Sequence, residues 1–323
     1  MTVRAAFLGN AKWSTPALQA LAAADGVHVA VVVTNPPRPA GRGSATTGTA
    51  VAQAARNLGI PLEETVGVSG GPGLAALRAA DPDVLAVVAY GELLSREVLD
   101  IAPLGAVNLH FSLLPRWRGA SPVQRALLAG DEVTGVTAML MDEHLDTGPI
   151  LGAVEVPILP EDDAGSLGAR LASLGARLMV EAIGSLAAGV AMPQPQDGAL
   201  ATVAPRLTPE ERWIDWSESA DSVLRRVRAL GPEPGASTRL RGEILKVFRA
   251  EVVVEATIAE GLVADRSGRE EPGVVVAVDR DGIVIATGEG AIRPLEVAVA
   301  GRKRMAAGDW ARGARLAPGA RLG

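Results

Sequence analysis

No cysteine occurs in the 323 residues. Its absence excludes thiol nucleophiles, thiolate-ligated metals and disulfides, and it fits a cytoplasmic chain. Aromatics make up only 3% of the residues, too few for the stacking platforms on which single-stranded nucleic acids are bound without sequence preference. No apolar run approaches the ~20 residues that span a bilayer. The apolar stretch after Met1 is too short for a signal peptide and reads as a first buried strand. No membrane partner is therefore expected. Histidine is limited to His28, His110 and His144, a poor basis for a metal centre when thiolates are lacking. No metal is expected either.

Small and branched apolar residues fill the space left by the aromatics. The chain is 48% hydrophobic and 21% charged, enough to bury sizeable cores, and at roughly 150 residues per domain its length points to two. The net charge of −6 conceals an asymmetry: residues 1–205 carry 12 Lys/Arg against 19 Asp/Glu, and residues 206–323 carry 19 against 18. From Arg293 onward seven basic residues face two acidic ones. A basic end on an acidic protein can suit a polyanionic partner, but on charge alone a solvated Arg-rich tail is the favoured reading.

The first half alternates strands with helices. Strand-like runs at Ala5–Leu8, Val29–Val33, Val84–Ala89 and Val107–Phe111 are separated by helical stretches at Thr15–Ala24, Val51–Leu58 and Leu74–Ala80. This order predicts an α/β fold, a Rossmann-like and mostly parallel sheet covered on both faces. Such sheets bind ligands beyond the carboxyl ends of their strands. A further strand is expected at Val136–Met141 and the longest helix at 167–188, ending near Gly189. A turn-rich linker follows. Beyond residue 208 a capped helix over Ser217–Leu230 precedes short strands at Ile244–Phe248, Val252–Val254, Val274–Val278, Ile283–Ala286 and Leu295–Val299, the pattern of a small β-barrel. The expected division is 1–190, a linker over 191–207, and 208–323.

Several familiar signatures fail. Phe7-Leu8-Gly9-Asn10 follows the first strand without a G-x-G-x-x-G, which removes the main support for a dinucleotide site. The segment from Gly43 to Gly48 has the spacing of a phosphate loop, but Thr49 stands where the lysine belongs and no lysine lies between Lys12 and Lys246. Gly67-Val68-Ser69-Gly70-Gly71 spells G-x-S-x-G without the strand and helix that build a nucleophile elbow.

Asn108-Leu109-His110 closes a strand, and alternation puts Asn108 and His110 on one face. From spacing alone the pair serves equally as a satisfied core pair or as two donors converging on a ligand. Ser112-Leu113-Leu114-Pro115 and Arg116-Trp117-Arg118-Gly119 follow as a loop, and a helix starts at Pro122. An acidic turn, Asp142 to Gly148, comes after the Val136–Met141 strand. It is either an exposed turn or the source of a carboxylate that orients His110.

Taken together, the Asn108-x-His110 pair, the Ser112–Pro115 segment and Leu145-Asp146-Thr147-Gly148 closely resemble the folate-dependent formyltransferase superfamily. Three further segments resemble its methionyl-tRNA branch: Arg38-Pro39-Ala40-Gly41-Arg42-Gly43, Ile214-Asp215-Trp216-Ser217, and Ala286-Thr287-Gly288-Glu289-Gly290 with Gly301-Arg302-Lys303. The resemblance implies formyl transfer from N10-formyltetrahydrofolate, as co-substrate, to the amino group of initiator methionyl-tRNA. Asn108 and His110 would stabilise the tetrahedral oxyanion, and Asp146 would fix His110 and help take the amine proton. Tyr90, Gly91, Ser112, Leu113, Leu114 and Pro115 would border the folate donor. Arg38, Arg42 and Lys303 would contact tRNA, with 208–323 as an OB-like tRNA-binding barrel on a monomer. Trp13 and Trp117 serve as pocket walls or as core packing. Lys12 stands where the family carries an acid, and Ser44 to Gly48 replace its usual cations, which predicts fewer phosphate contacts. A sugar-nucleotide formyltransferase of the same superfamily would share Asn108, His110 and Asp146. An RNA-binding protein without activity would have no use for them.

Overall fold

The computed structural model describes residues 2–39, 46–253 and 271–323. Arg42 and most of the 38–43 loop lie outside the described residues, as does Val254. The chain forms two compact units. The first comprises Met1–Pro122, Val133–Pro157 and Gly168–Pro205, and the second Val123–Glu132, Ile158–Leu167 and Arg206–Gly323.

The first unit is built on a seven-stranded sheet. In chain order its strands and helices are β1 (Val3–Gly9), α1 (Thr15–Ala23), β2 (Val27–Thr34), the short hairpin β3 (Arg38–Pro39) and β4 (Thr46–Thr47), α2 (Ala50–Leu58), β5 (Leu62–Glu64), α3 (Gly71–Ala80), β6 (Val84–Val88), α4 (Arg96–Leu99) and β7 (Ala106–His110). After α5 (Pro122–Ala129) come β8 (Val133–Leu140), β9 (Ile150–Pro157) and α6 (Ala164–Ala187). The sheet order is β5-β2-β1-β6-β7-β8-β9. Pairing is parallel from β5 to β7 and antiparallel for β8 and β9. Every residue of β6 and β7 is buried, as expected of parallel strands covered on both sides. Strand order reverses between β1 and β6, and the carboxyl ends of β1, β6 and β7 therefore lie where such sheets open a crevice.

Side-chain alternation sorts the two faces. Ala6, Leu8, Leu85, Val87 and Ala106 join Leu74, Leu77 and Val98 in one core cluster. On the other face Leu109 and Val136 approach Gly175 of α6 so closely that a Cβ there would sit 3.0 Å from Val136. Local signals explain the helix limits. Thr49 caps α2 by accepting the Ala52 N–H at 3.0 Å, and Gly59 ends it at φ 68.

In the second unit, α7 (Ala220–Leu230) precedes a six-stranded antiparallel sheet. Its strands are β10 (Ala236–Leu240), β11 (Glu243–Val253), β12 (Val275–Asp279), β13 (Gly282–Ala286), β14 (Ala291–Val299) and β15 (Met305–Ala306), followed by α8 (Ala307–Gly313). The sequence pattern breaks β11 in two, whereas the strand runs through with its register shifting on either side of Arg249, as bulges allow. The helix begins at Ala220, not Ser217, because Ser219 is the cap and accepts the Ser222 N–H at 3.2 Å. Ser217 and Glu218 instead meet the glycine-rich turn after β13. Gly288 N–H donates to the carbonyls of Trp216 at 2.9 Å and Glu218 at 2.8 Å, and a Cβ on Gly288 would fall 1.9 Å from the Ser217 oxygen. The 214–217 and 286–290 segments are thus the two halves of one contact.

Among the described residues β10 and β12 do not pair with each other, and the C-terminal segment bridges them. Val275 N–H donates to Ala320 O at 2.7 Å, and Gly323 N–H donates to Arg239 O at 3.1 Å. Leu322 between them is only 2% exposed. Leu322→Ala is expected to destabilise this unit by about 2–5 kcal/mol. Thermal melting checks this, and an unchanged midpoint contradicts the bridging role.

Candidate active site

Because β7 is buried throughout, its alternation decides what His110 can reach. Asn108 and His110 share a face, as their spacing predicts, and they lie across from Met139 and Thr137 of β8. His110 is 5% and Asn108 9% exposed. The His110 Nε2 is 2.8 Å from the Trp117 carbonyl oxygen. A carbonyl only accepts, so Nε2 carries a hydrogen. Nδ1 then faces Asp146 Oδ2 at 3.5 Å. Asn108 has no hydrogen bond to its side-chain amide among the described residues, so its donors are free for a ligand.

The acidic turn sorts its own carboxylates. Asp142 is consumed locally, accepting the His144 N–H at 2.9 Å and the Thr147 hydroxyl at 2.8 Å. Glu143 and His144 are exposed. Only Asp146 turns inward, at φ 53, and its Oδ2 accepts the Gly119 N–H at 2.8 Å. Gly119 itself sits at φ 124, where a Cβ would lie 2.7 Å from the Ala204 oxygen. Gly148 closes the turn against β8 so tightly that a Cβ would fall 1.8 Å from the Leu140 oxygen. Both positions admit only glycine.

The loop after β7 is pinned by internal bonds. Ser112 donates its hydroxyl to the Arg116 carbonyl at 2.6 Å, and Thr137 Oγ1 donates to the Ser112 carbonyl at 2.7 Å while accepting the Leu114 N–H at 3.2 Å. Leu114 is buried and Leu113 and Pro115 are half-buried. Trp117 adopts φ 62, sparsely populated by a bulky residue, and the Arg116 guanidinium lies 4.4 Å from its ring centre. Trp13 is 5.7 Å from Phe111 between ring centres and packs on Gly168.

Asn10 gathers the carboxyl ends of the neighbouring strands. Its Oδ1 accepts the Asn35 N–H at 2.7 Å and the Thr34 hydroxyl at 3.1 Å, and its Nδ2 donates to the Tyr90 carbonyl. Tyr90 is buried with its hydroxyl unpartnered. Burial first, and then Glu92, push its phenol well above the ordinary tyrosine range, so it stays protonated as a donor. Gly91 is exposed at φ 88.

Of the basic residues singled out in the sequence, Arg38 is exposed on β3 in the first unit, and Lys303 is exposed between β14 and β15 in the second. Lys12 is also exposed. Four residues absent from the sequence-based set bind the site loops: Gln196, Thr202, Thr137 and Asn10. Thr137 lies in a strand the sequence does predict, Val136–Met141, but the register that sets it opposite His110 appears only in the structure. Gln196 and Thr202 lie in a turn-rich linker that carries no such signal.

Two family profiles cover the chain: "Formyl transferase" over residues 3–183 and "Formyl transferase, C-terminal domain" over 206–315. The methionyl-tRNA formyltransferase of Aromatoleum aromaticum is 45% identical over 99% of this chain and 97% of its own. That of Thermus thermophilus is 43% identical over 99% of both. Among solved structures, HypX from Aquifex aeolicus in complex with tetrahydrofolic acid aligns at a TM-score of 0.62 and 18% identity, over 96% of this chain and 47% of that one. An N-formyltransferase from Helicobacter canadensis, in complex with folinic acid and dTDP-3-aminofucose, aligns at 0.62 and 16%, over 91% and 99%.

Proposed function

The chain belongs to the formyltransferase family, alongside the methionyl-tRNA formyltransferases it matches from end to end, and from that premise we propose that it transfers a formyl group from N10-formyltetrahydrofolate to the amino group of initiator methionyl-tRNA. The observation that carries the chemistry is the buried His110 held between the Trp117 carbonyl and Asp146. Asn108 donates to the oxyanion that develops as the amine adds to the formyl carbon, in a site where fixed donors replace water. The amine proton goes to Asp146, since only the neutral amine is nucleophilic, with His110 Nδ1 facing Asp146 Oδ2 as a second acceptor, and it passes to N10 as the bond from the formyl carbon to N10 breaks. The Gly119 N–H holds the same Oδ2. Tyr90, Gly91 and the Ser112–Pro115 loop border the donor, Ser112 acting through the turn that its hydroxyl closes.

Arg38, Arg42 and Lys303 contact the tRNA. Residues 1–190 carry catalysis, 191–207 the connection and 208–323 the tRNA affinity, and the enzyme works as a cytoplasmic monomer. No helix among the described residues is long and apolar enough to cross a membrane. Lys303→Ala is expected to weaken tRNA binding, reducing the salt slope of log K by about one phosphate contact, with kcat unchanged. Titrations across salt concentrations check it, and an identical slope removes Lys303 from the interface.

The sugar-nucleotide alternative rests on structural neighbours that share the fold at 16% identity. Donor turnover measured in parallel with methionyl-tRNA and with an amino-sugar nucleotide decides between them. Turnover with the sugar alone would keep the site and overturn the substrate.

A further inference from the structure

The segment leading out of the first unit is bonded to both loops that flank His110, and one side chain ties those loops together. Gln194 exchanges two backbone hydrogen bonds with Ile150, each 2.8 Å. Arg118 N–H donates to Thr202 O at 2.8 Å, Ala204 N–H donates to Arg118 O at 2.7 Å, and Thr202 Oγ1 accepts the Trp117 N–H at 2.9 Å. Between these anchors Gln196 spends its whole amide. Nε2 donates to the carbonyls of Asp146 at 2.9 Å and Gly148 at 2.7 Å, while Oε1 accepts from Arg118 Nε at 3.1 Å and Nη2 at 2.7 Å. Two donors and two lone pairs are all that a carboxamide has, and every one is used within the 116–119 and 146–148 loops.

Asp146 needs such a restraint. At φ 53 it occupies a region that non-glycine residues visit at a cost, and such conformations persist where the surroundings over-determine them. We propose that Gln196 is a positioning residue for formyl transfer, clamping the Asp146 backbone to Arg118 so that the carboxylate stays between the Gly119 N–H and His110 Nδ1. This rests on the reading of Asp146 as the proton acceptor. Gln196 touches no substrate and acts only through that carboxylate.

The test compares Gln196→Ala, Gln196→Glu and Asp146→Asn in formyl transfer to methionyl-tRNA. Gln196→Ala is expected to lower kcat about 10- to 100-fold, the scale of a misplaced catalytic group, with KM for both substrates within twofold. Gln196→Glu keeps the volume and the Arg118 contact but sets a carboxylate oxygen against two carbonyls, so it gives no rescue. The double variant Gln196→Ala/Asp146→Asn is expected to be no slower than Asp146→Asn alone. Wild-type kcat in Gln196→Glu with inactive Asp146→Asn would overturn the clamp and leave the site reading standing. A fully active Asp146→Asn would overturn both. If Gln196→Ala does not fold, Gln196→Glu set against Asp146→Asn decides between the same outcomes.

Discussion

His110→Ala is expected to lower kcat by about 10²–10⁴-fold, the usual worth of a positioned acid–base group, while KM for the tRNA stays within a few-fold. Two losses add in this variant. The first is chemical, since Nδ1 is the ring atom facing Asp146 Oδ2, and without it the proton from the amine has no second acceptor. The second is structural, because the Trp117 carbonyl loses the N–H that engages it in a buried place. His110→Gln separates the two, as its amide nitrogen overlays Nε2 and can still donate to the Trp117 carbonyl but is not basic. Glutamine restoring wild-type turnover would reduce His110 to a loop anchor.

Asn108→Ala is expected to cost about 10²–10³ in kcat, the range for removing one oxyanion donor. Unlike His110, Asn108 holds no loop. It has no intramolecular partner for its amide among the described residues, so its removal leaves the surrounding bonds intact and the fold is expected to melt at the wild-type temperature. Single-turnover rates and thermal melting together check this. A wild-type rate would take the oxyanion role away from Asn108, and a collapsed melting point would make it a packing residue.

The parts of the fold that were legible are those whose signal is local. β6 is a continuous apolar run because both its faces are covered, and the order of strands and helices is enough to specify a largely parallel sheet. The pairing of Asn108 with His110 follows from a period of two. Asp146 stood out through the resemblance, not through its turn, where three acids look alike until Asp142 is seen to close the loop and Asp146 to accept the Gly119 N–H beside His110. Strand β9 escaped because its residues are half-exposed at the sheet edge, and β10 because Ser237, Thr238 and Arg239 read as loop. The bulges around Arg249 disguised β11 as two strands. Gln196 could not be found locally at all. Its partners are two backbone carbonyls about 50 residues away and the Arg118 guanidinium 78 residues away, and contacts at such separations leave no local pattern in the sequence.

In the proposed mechanism Asn108, His110 and Asp146 would serve formyl transfer to any positioned amine, and what distinguishes one amine from another would lie away from them. The most direct measurement is therefore formyl transfer from N10-formyltetrahydrofolate to purified initiator methionyl-tRNA, with charged elongator methionyl-tRNA as the control. Rapid formylation of the initiator and little of the elongator is the predicted result. Equal rates on both would remove initiator selectivity, and no product with either tRNA would contradict the assignment of the substrate.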